Sequence, residues 1–171
     1  MDNIDYIILS TPRSGSAWLA NFLTIDGRAY CHHEPFADFK FLEEIPRKAQ
    51  RMGIIDTGCW MLPNFSVPDS IPIYKLTRNE FDVQLSLVTK FGWDSPPHYD
   101  YSKFNQIKGV RTFHYKDLFS VSYLEKVWDE LIPNLPFCRP RALQLINLNI
   151  QVDPNRLVNR TIKTYAGDNH G

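Results

Sequence analysis

Residues 11–18 read Thr-Pro-Arg-Ser-Gly-Ser-Ala-Trp and lie directly between two apolar runs. Arg13 supplies a permanent positive fork, the geometry that suits phosphate oxygens. Ser14 and Ser16 supply hydroxyl donors, and Gly15 lets backbone approach a ligand closely. A helix starting near Ala17 would leave its first N–H groups without intrahelical partners. Its peptide dipoles would favour negative charge at that end. These parts add up to an anion cradle. The loop lacks the Gly-Lys pair of Gly-x-x-x-x-Gly-Lys-[Ser/Thr], which argues against a nucleoside triphosphate with magnesium as its ligand.

A second group is Cys31-His-His-Glu34, with a thiol, two imidazoles and a carboxylate in a row. Metal ligands are normally spaced, and neighbours on an extended chain point to opposite sides. No metal is expected there.

Both groups need elements to hold them. Residues 4–9 are a short Ile-rich run that predicts a buried strand, followed by a loop over 10–16. A helix is predicted from 17 to 23, with Ser14 or Ser16 as its N-cap. Pro35 predicts an extended Glu34. A helix is predicted over 37–52, broken near Pro46. Strands are predicted at 53–57 and 71–77. Residues 80–91 predict a helix with apolar positions at 81, 85 and 88, and Val83 and Leu87 beside them. A long loop covers 92–106 and a strand 109–115. Helices are predicted at 122–131, 139–148 and 154–164. Strands alternating with helices predict an α/β fold of three layers, a central, mostly parallel sheet with helices on both faces. Ligands of such sheets bind beyond the carboxyl ends of the strands, which is where the Arg13 loop falls.

The 171 residues fit one domain over 1–171. Nineteen basic and nineteen acidic side chains give a net charge of zero, which argues against general nucleic-acid binding. Cysteines at 31, 59 and 138 form no Cys-x-x-Cys pair and are expected to be reduced thiols. The amino-terminal residues do not read as a signal peptide, and no run approaches the roughly 20 apolar residues of a membrane span. A cytoplasmic protein without membrane or nucleic-acid partners is the expectation; oligomeric state is left open.

The 11–18 segment resembles the 5′-phosphosulfate loop of sulfotransferases that use 3′-phosphoadenosine 5′-phosphosulfate (PAPS) and release 3′,5′-adenosine bisphosphate (PAP). Members read x-Pro-[Lys/Arg]-Ser-Gly-[Ser/Thr]-[Ser/Thr]-[Trp/Leu]. The resemblance implies a P-loop nucleotide-binding fold. It implies that Arg13 and the backbone of Ser14, Gly15, Ser16 and Ala17 hold the 5′-phosphate and sulfuryl group, with Trp18 against the adenine. In the family a strand ends in Arg, and a Ser eight positions later joins it on the 3′-phosphate. Here these are Arg78 and Ser86. Val110 to Leu118 resembles the family's strand ending Tyr-Glu-Asp-Leu, which implies Tyr115 near the adenine.

Phenol and steroid enzymes of the family carry a Lys-Thr-His segment after a central strand. The corresponding stretch here, Ile55-Asp-Thr-Gly-Cys-Trp60, has no histidine. Carbohydrate enzymes place a glutamate in a Glu-Pro segment, as His33-Glu34-Pro35 does here. The resemblance therefore implies a small member close to the carbohydrate type. Glu34 is its general base, His33 the second candidate and His32 the third, while Arg13 stabilises the leaving phosphate. The acceptor would be a hydroxyl or amine of a small molecule or carbohydrate, with Trp93, Tyr99 and Tyr101 as a possible wall. The family's closing Arg-Lys-Gly segment is absent, and Arg160 and Lys163 are its candidate substitutes. Two rivals stay open: a PAP- or PAPS-binding protein with weak or no transfer, and a P-loop nucleotide kinase.

Overall fold

A computed structural model of the chain describes residues 3–25, 27–62, 65–91 and 99–148. The central strand is β1, Tyr6–Ser10, buried at every residue. Burial on both faces is what an Ile-rich strand in a parallel sheet requires. It pairs in parallel with β3 (Arg51–Asp56) on one side and β4 (Ile73–Thr77) on the other. Strand β2 (Ala29–His33) lies outside β3, and β5 (Arg111–His114) outside β4. The order is β2-β3-β1-β4-β5, and each of these strand pairs is parallel.

Alternation along β1 divides the core. Tyr6 and Ile8 face helices α1 (Ser16–Phe22), α4 (Val121–Leu131) and α5 (Arg139–Ile146). Ile7 and Leu9 face Leu42, Ile45, Trp60 and Phe104, which come from short 3-10 turns and α3 (Ser102–Gln106). The expected three layers are therefore present, the second of them thin. Helix α2 (Glu80–Phe91) follows β4. It buries Val83 and Leu87 and leaves its Phe81, Leu85 and Val88 stripe exposed.

Several local expectations change. Residues 29–33 form a strand despite their two histidines, because β3 begins at Arg51 and gives them a ladder. The helix expected over 37–52 is instead two 3-10 turns, Pro35–Ala37 and Leu42–Glu44. There the Glu44 carboxylate accepts the N–H groups of Lys40 (2.8 Å) and Phe41 (3.2 Å), local bonds that compete with helix. Residues 102–106, expected as loop, are helical. The helix expected at 154–164 lies outside the described residues. Among the described residues no helix is long and apolar enough to cross a membrane. Cys31 and Cys59 are buried free thiols, and Cys138 is an exposed one.

Tyr6 lies directly opposite Gly53 in the ladder, and its ring covers the space a side chain there would need. A Cβ at residue 53 would stand 2.0 Å from a ring carbon. Gly53→Ala is expected to destabilise the fold by about 2–3 kcal/mol through overpacking. Urea unfolding should show a lower midpoint at unchanged slope. A wild-type midpoint would mean that the Tyr6 ring can move aside.

Candidate functional site

The loop after β1 is built from inside outwards. Thr11 N–H donates to the Leu76 carbonyl (3.2 Å), tying the loop to β4. Ser14 is fully buried. Its hydroxyl lies 2.6 Å from the Ser10 hydroxyl and donates to the Thr11 carbonyl. That hydroxyl is used to shape the loop, so the sequence-based expectation of an outward donor at Ser14 is corrected. Gly15, at φ 86°, is the N-cap of α1, in place of the expected serine. Arg13 is also left-handed, at φ 59°. A non-glycine residue in that region costs roughly 1–2 kcal/mol.

Arg13 Nε donates to Ser86 Oγ on α2 (3.2 Å). Arg78, just past β4, donates from Nη1 to the Arg13 carbonyl (2.9 Å). Its guanidinium carbon also sits 4.3 Å from the centre of the Tyr115 ring. That ring reaches the loop, since a Cβ on Gly15 would be 2.9 Å from Tyr115 Cδ2. Arg13, Gly15, Arg78, Ser86 and Tyr115 thus converge at the carboxyl edge of the sheet.

Two guanidinium groups share this edge. The pKa of Arg13 is pushed down, first by burial and then by the charge of Arg78, with Tyr115 opposing. Among the described residues no carboxylate pairs with Arg78, and its buried Nε has no hydrogen-bond partner. Thr11 Oγ1 is buried and unpartnered as well. Two adjacent guanidinium groups, one with an open buried N–H, make an edge chemically suited to an anion.

A second chain of contacts runs along the ends of α1, β2 and β3. Ser16 Oγ lies 3.0 Å from His33 Nε2, which lies 3.7 Å from Glu34 Oε1. Thr57 Oγ1 donates to the same Glu34 oxygen (2.8 Å). Glu34 is left-handed (φ 51°), where an extended residue was expected. Its N–H still donates to the Ile55 carbonyl (2.8 Å), so the chain leaves the ladder only at its carbonyl side. The Glu34 carboxylate is half-exposed and open to a ligand.

Other candidates fall elsewhere. Trp18 is buried in the core, its ring stacked on Phe22 and its Nε1 donating to the Leu145 carbonyl (2.9 Å). His32 is buried, edge-on to Tyr30 and Phe39. The side chain of Ala17 carries no polar group, which leaves its backbone as the only donor. Tyr101 packs on Trp60 at 6.1 Å, and burial pushes its hydroxyl up to about 12. Trp93, Arg160 and Lys163 lie outside the described residues. Thr57 is the participant that the sequence reading missed. Its signal was its place immediately after a strand, at the same edge as the Arg13 loop. Among the described residues no group of His, Cys, Asp and Glu side chains is arranged to hold a metal ion.

No family model matches the chain, and no curated protein matches it in sequence. Among solved structures it is similar to mouse sulfotransferase SULT7A1 complexed with PAP, with a TM-score of 0.54 and 17% identity. The match covers 86% of this chain and 65% of the mouse protein, so the chain spans less than two thirds of that length. The two share a fold. That fold is the one expected from the sequence, a central parallel sheet with helices on both faces.

The packing of Gly15 on Tyr115 gives a direct test. Gly15→Ala is expected to cost about 1–3 kcal/mol, combining left-handed strain with displacement of the ring. Gly27, also left-handed at φ 60°, has open space where its Cβ would go. Gly27→Ala should therefore show only the strain, about 1 kcal/mol. Equal losses in denaturant unfolding would show that the Tyr115 ring yields without cost.

Proposed function

We propose that the chain transfers a sulfuryl group from PAPS to a hydroxyl or amine of a small-molecule or carbohydrate acceptor. The observation that carries this reading is the meeting of Arg13, Arg78 and Ser86 around one edge, fastened by Tyr115. The unpartnered Arg78 Nε and Thr11 Oγ1 fit a bound polyanion. Arg13 and the backbone of Ser14, Gly15, Ser16 and Ala17 would hold the 5′-phosphosulfate. Arg78 and Ser86 would hold the 3′-phosphate. Tyr115, already covered by Arg78, would set the spacing between the two sockets.

PAPS, when bound, would supply the sulfuryl group, its bond to the bridging anhydride oxygen being exchanged for one to the acceptor oxygen or nitrogen. Arg13 offsets the charge left on the departing oxygen, a contribution of about 10²–10³ in rate for one preorganised donor. Glu34 takes the acceptor proton, a contribution of about 10²–10⁴. Thr57 holds Glu34 Oε1 and leaves the other carboxylate oxygen for the acceptor. His33 links Ser16 to Glu34 and is the second candidate for the base.

Thermal shift with PAP, with 5′-AMP and with ATP plus magnesium separates this reading from its rivals. PAP is expected to stabilise most, whereas a preference for ATP with magnesium would indicate a kinase. Arg78→Ala should weaken PAP roughly 10–100-fold and leave 5′-AMP within about twofold. Retained discrimination in that variant would remove Arg78 from the 3′-phosphate site. Glu34→Gln should keep PAP affinity and lower turnover at least about tenfold. Near-normal turnover there would move the base to His33, and a broad acceptor screen without labelled product would leave a nucleotide-binding protein.

A further inference from the structure

Helix α1, which continues the arginine loop, has only seven residues, about two turns. A helix this short is marginal without outside support, and the last carbonyls of any helix lack partners four residues on. Here support comes from Arg141 on α5, 119 residues after Phe22. Its Nη1 donates to the Phe22 carbonyl (2.7 Å). Its Nη2 donates to the Asn21 carbonyl (2.7 Å) and to that of Thr24 (2.6 Å), just beyond the helix. Positive charge at this end also suits the peptide dipoles of α1. The two helices are tied in the other direction by Trp18, whose Nε1 donates to the Leu145 carbonyl of α5 (2.9 Å). A line of hydrogen bonds joins this clasp to the loop. Leu23 N–H donates to the Leu19 carbonyl, and Leu19 N–H to that of Gly15, both at 2.9 Å.

We propose that Arg141 is a positioning residue for the donor loop. It stands at the end of α1 away from the loop and acts through the helix. With the last turn held, Gly15, Ser16 and Ala17 keep one place relative to the sheet. This role rests on the sulfuryl-transfer reading above, in which those residues hold the 5′-phosphosulfate. Arg78 and Ser86, assigned to the 3′-phosphate, lie on other elements, so the influence of Arg141 falls on the 5′ socket. A guanidinium suits the task, because its planar fork spreads donors over three carbonyls, whereas an ammonium is a compact point donor.

Calorimetry on the full chain tests this with PAP and with adenosine 3′-monophosphate (3′-AMP), which lacks the 5′-phosphate. Arg141→Met is expected to weaken PAP about tenfold and leave 3′-AMP within about twofold. Arg141→Lys should fall between Arg141→Met and the unmodified protein. A general loss of stability would move both ligands together, since both are measured on the same folded protein. Gly53→Ala, costly at the other half of the sheet, should leave both affinities within about twofold. In the ligand-free protein, amide exchange at Leu19 and Leu23 should quicken about tenfold in Arg141→Met. If that variant does not fold, Arg141→Lys carries the same comparisons. Unchanged PAP affinity, or equal losses for PAP and 3′-AMP, would overturn the positioning role. Failure of the unmodified protein to bind PAP would instead sink the transfer reading, and the donor role of Arg141 with it. Unchanged exchange in α1 would overturn the clasp whatever the nucleotide does.

Discussion

Two positive side chains held together at one sheet edge repel each other, and the arrangement of this edge follows from that repulsion. Arg78 is fixed by the Arg13 carbonyl on one side and by the face of Tyr115 on the other. Arg13 is turned by its left-handed backbone and caught by Ser86. Each contact is modest, about 0.5–3 kcal/mol. Together they tie four separate parts of the chain: the loop after β1, the residue after β4, α2, and the turn after β5. The charge stress is kept local, and an anion is the natural partner to relieve it.

The Glu34 side of the edge is organised differently. It is a line of polar groups, Ser16, His33, Glu34 and Thr57, strung across the ends of α1, β2 and β3. Ser16 belongs to both halves, since it opens the helix that follows the arginine loop. Positive charge gathers where β1, β4 and β5 end, and the carboxylate stands where β2 and β3 end. The central position of β1 makes this division possible, because its carboxyl end borders both groups.

Much of this was legible in the sequence. The Ile-rich run and the Pro-Arg-Ser-Gly-Ser turn are local signals, and local geometry decides them; the eight-residue step from Arg78 to Ser86 was singled out by the family resemblance instead. Strand β2 was not legible, because His32 and His33 read as polar and only pairing with β3 makes them a strand. The helix expected over 37–52 failed for a related reason. Its last two residues belong to that ladder, and Glu44 bonds its neighbours' backbone instead of facing water. Ser14 was read as a donor from its type alone, whereas its depth in the loop decides its use. Thr57 was invisible because its role depends on Glu34, which lies far off in sequence.

The pairing partners of β1 carry a kinetic consequence. Tyr6 to Leu9 dock against residues 53–56, and Ile7 to Ser10 against residues 73–76. No neighbouring hairpin can stabilise the strand in the meantime, and distant pairings of this kind form slowly. During synthesis the arginine loop leaves the ribosome before Arg78, Ser86 and Tyr115 and must wait for them to emerge. The arginine loop is thus made well before the residues that hold it in place.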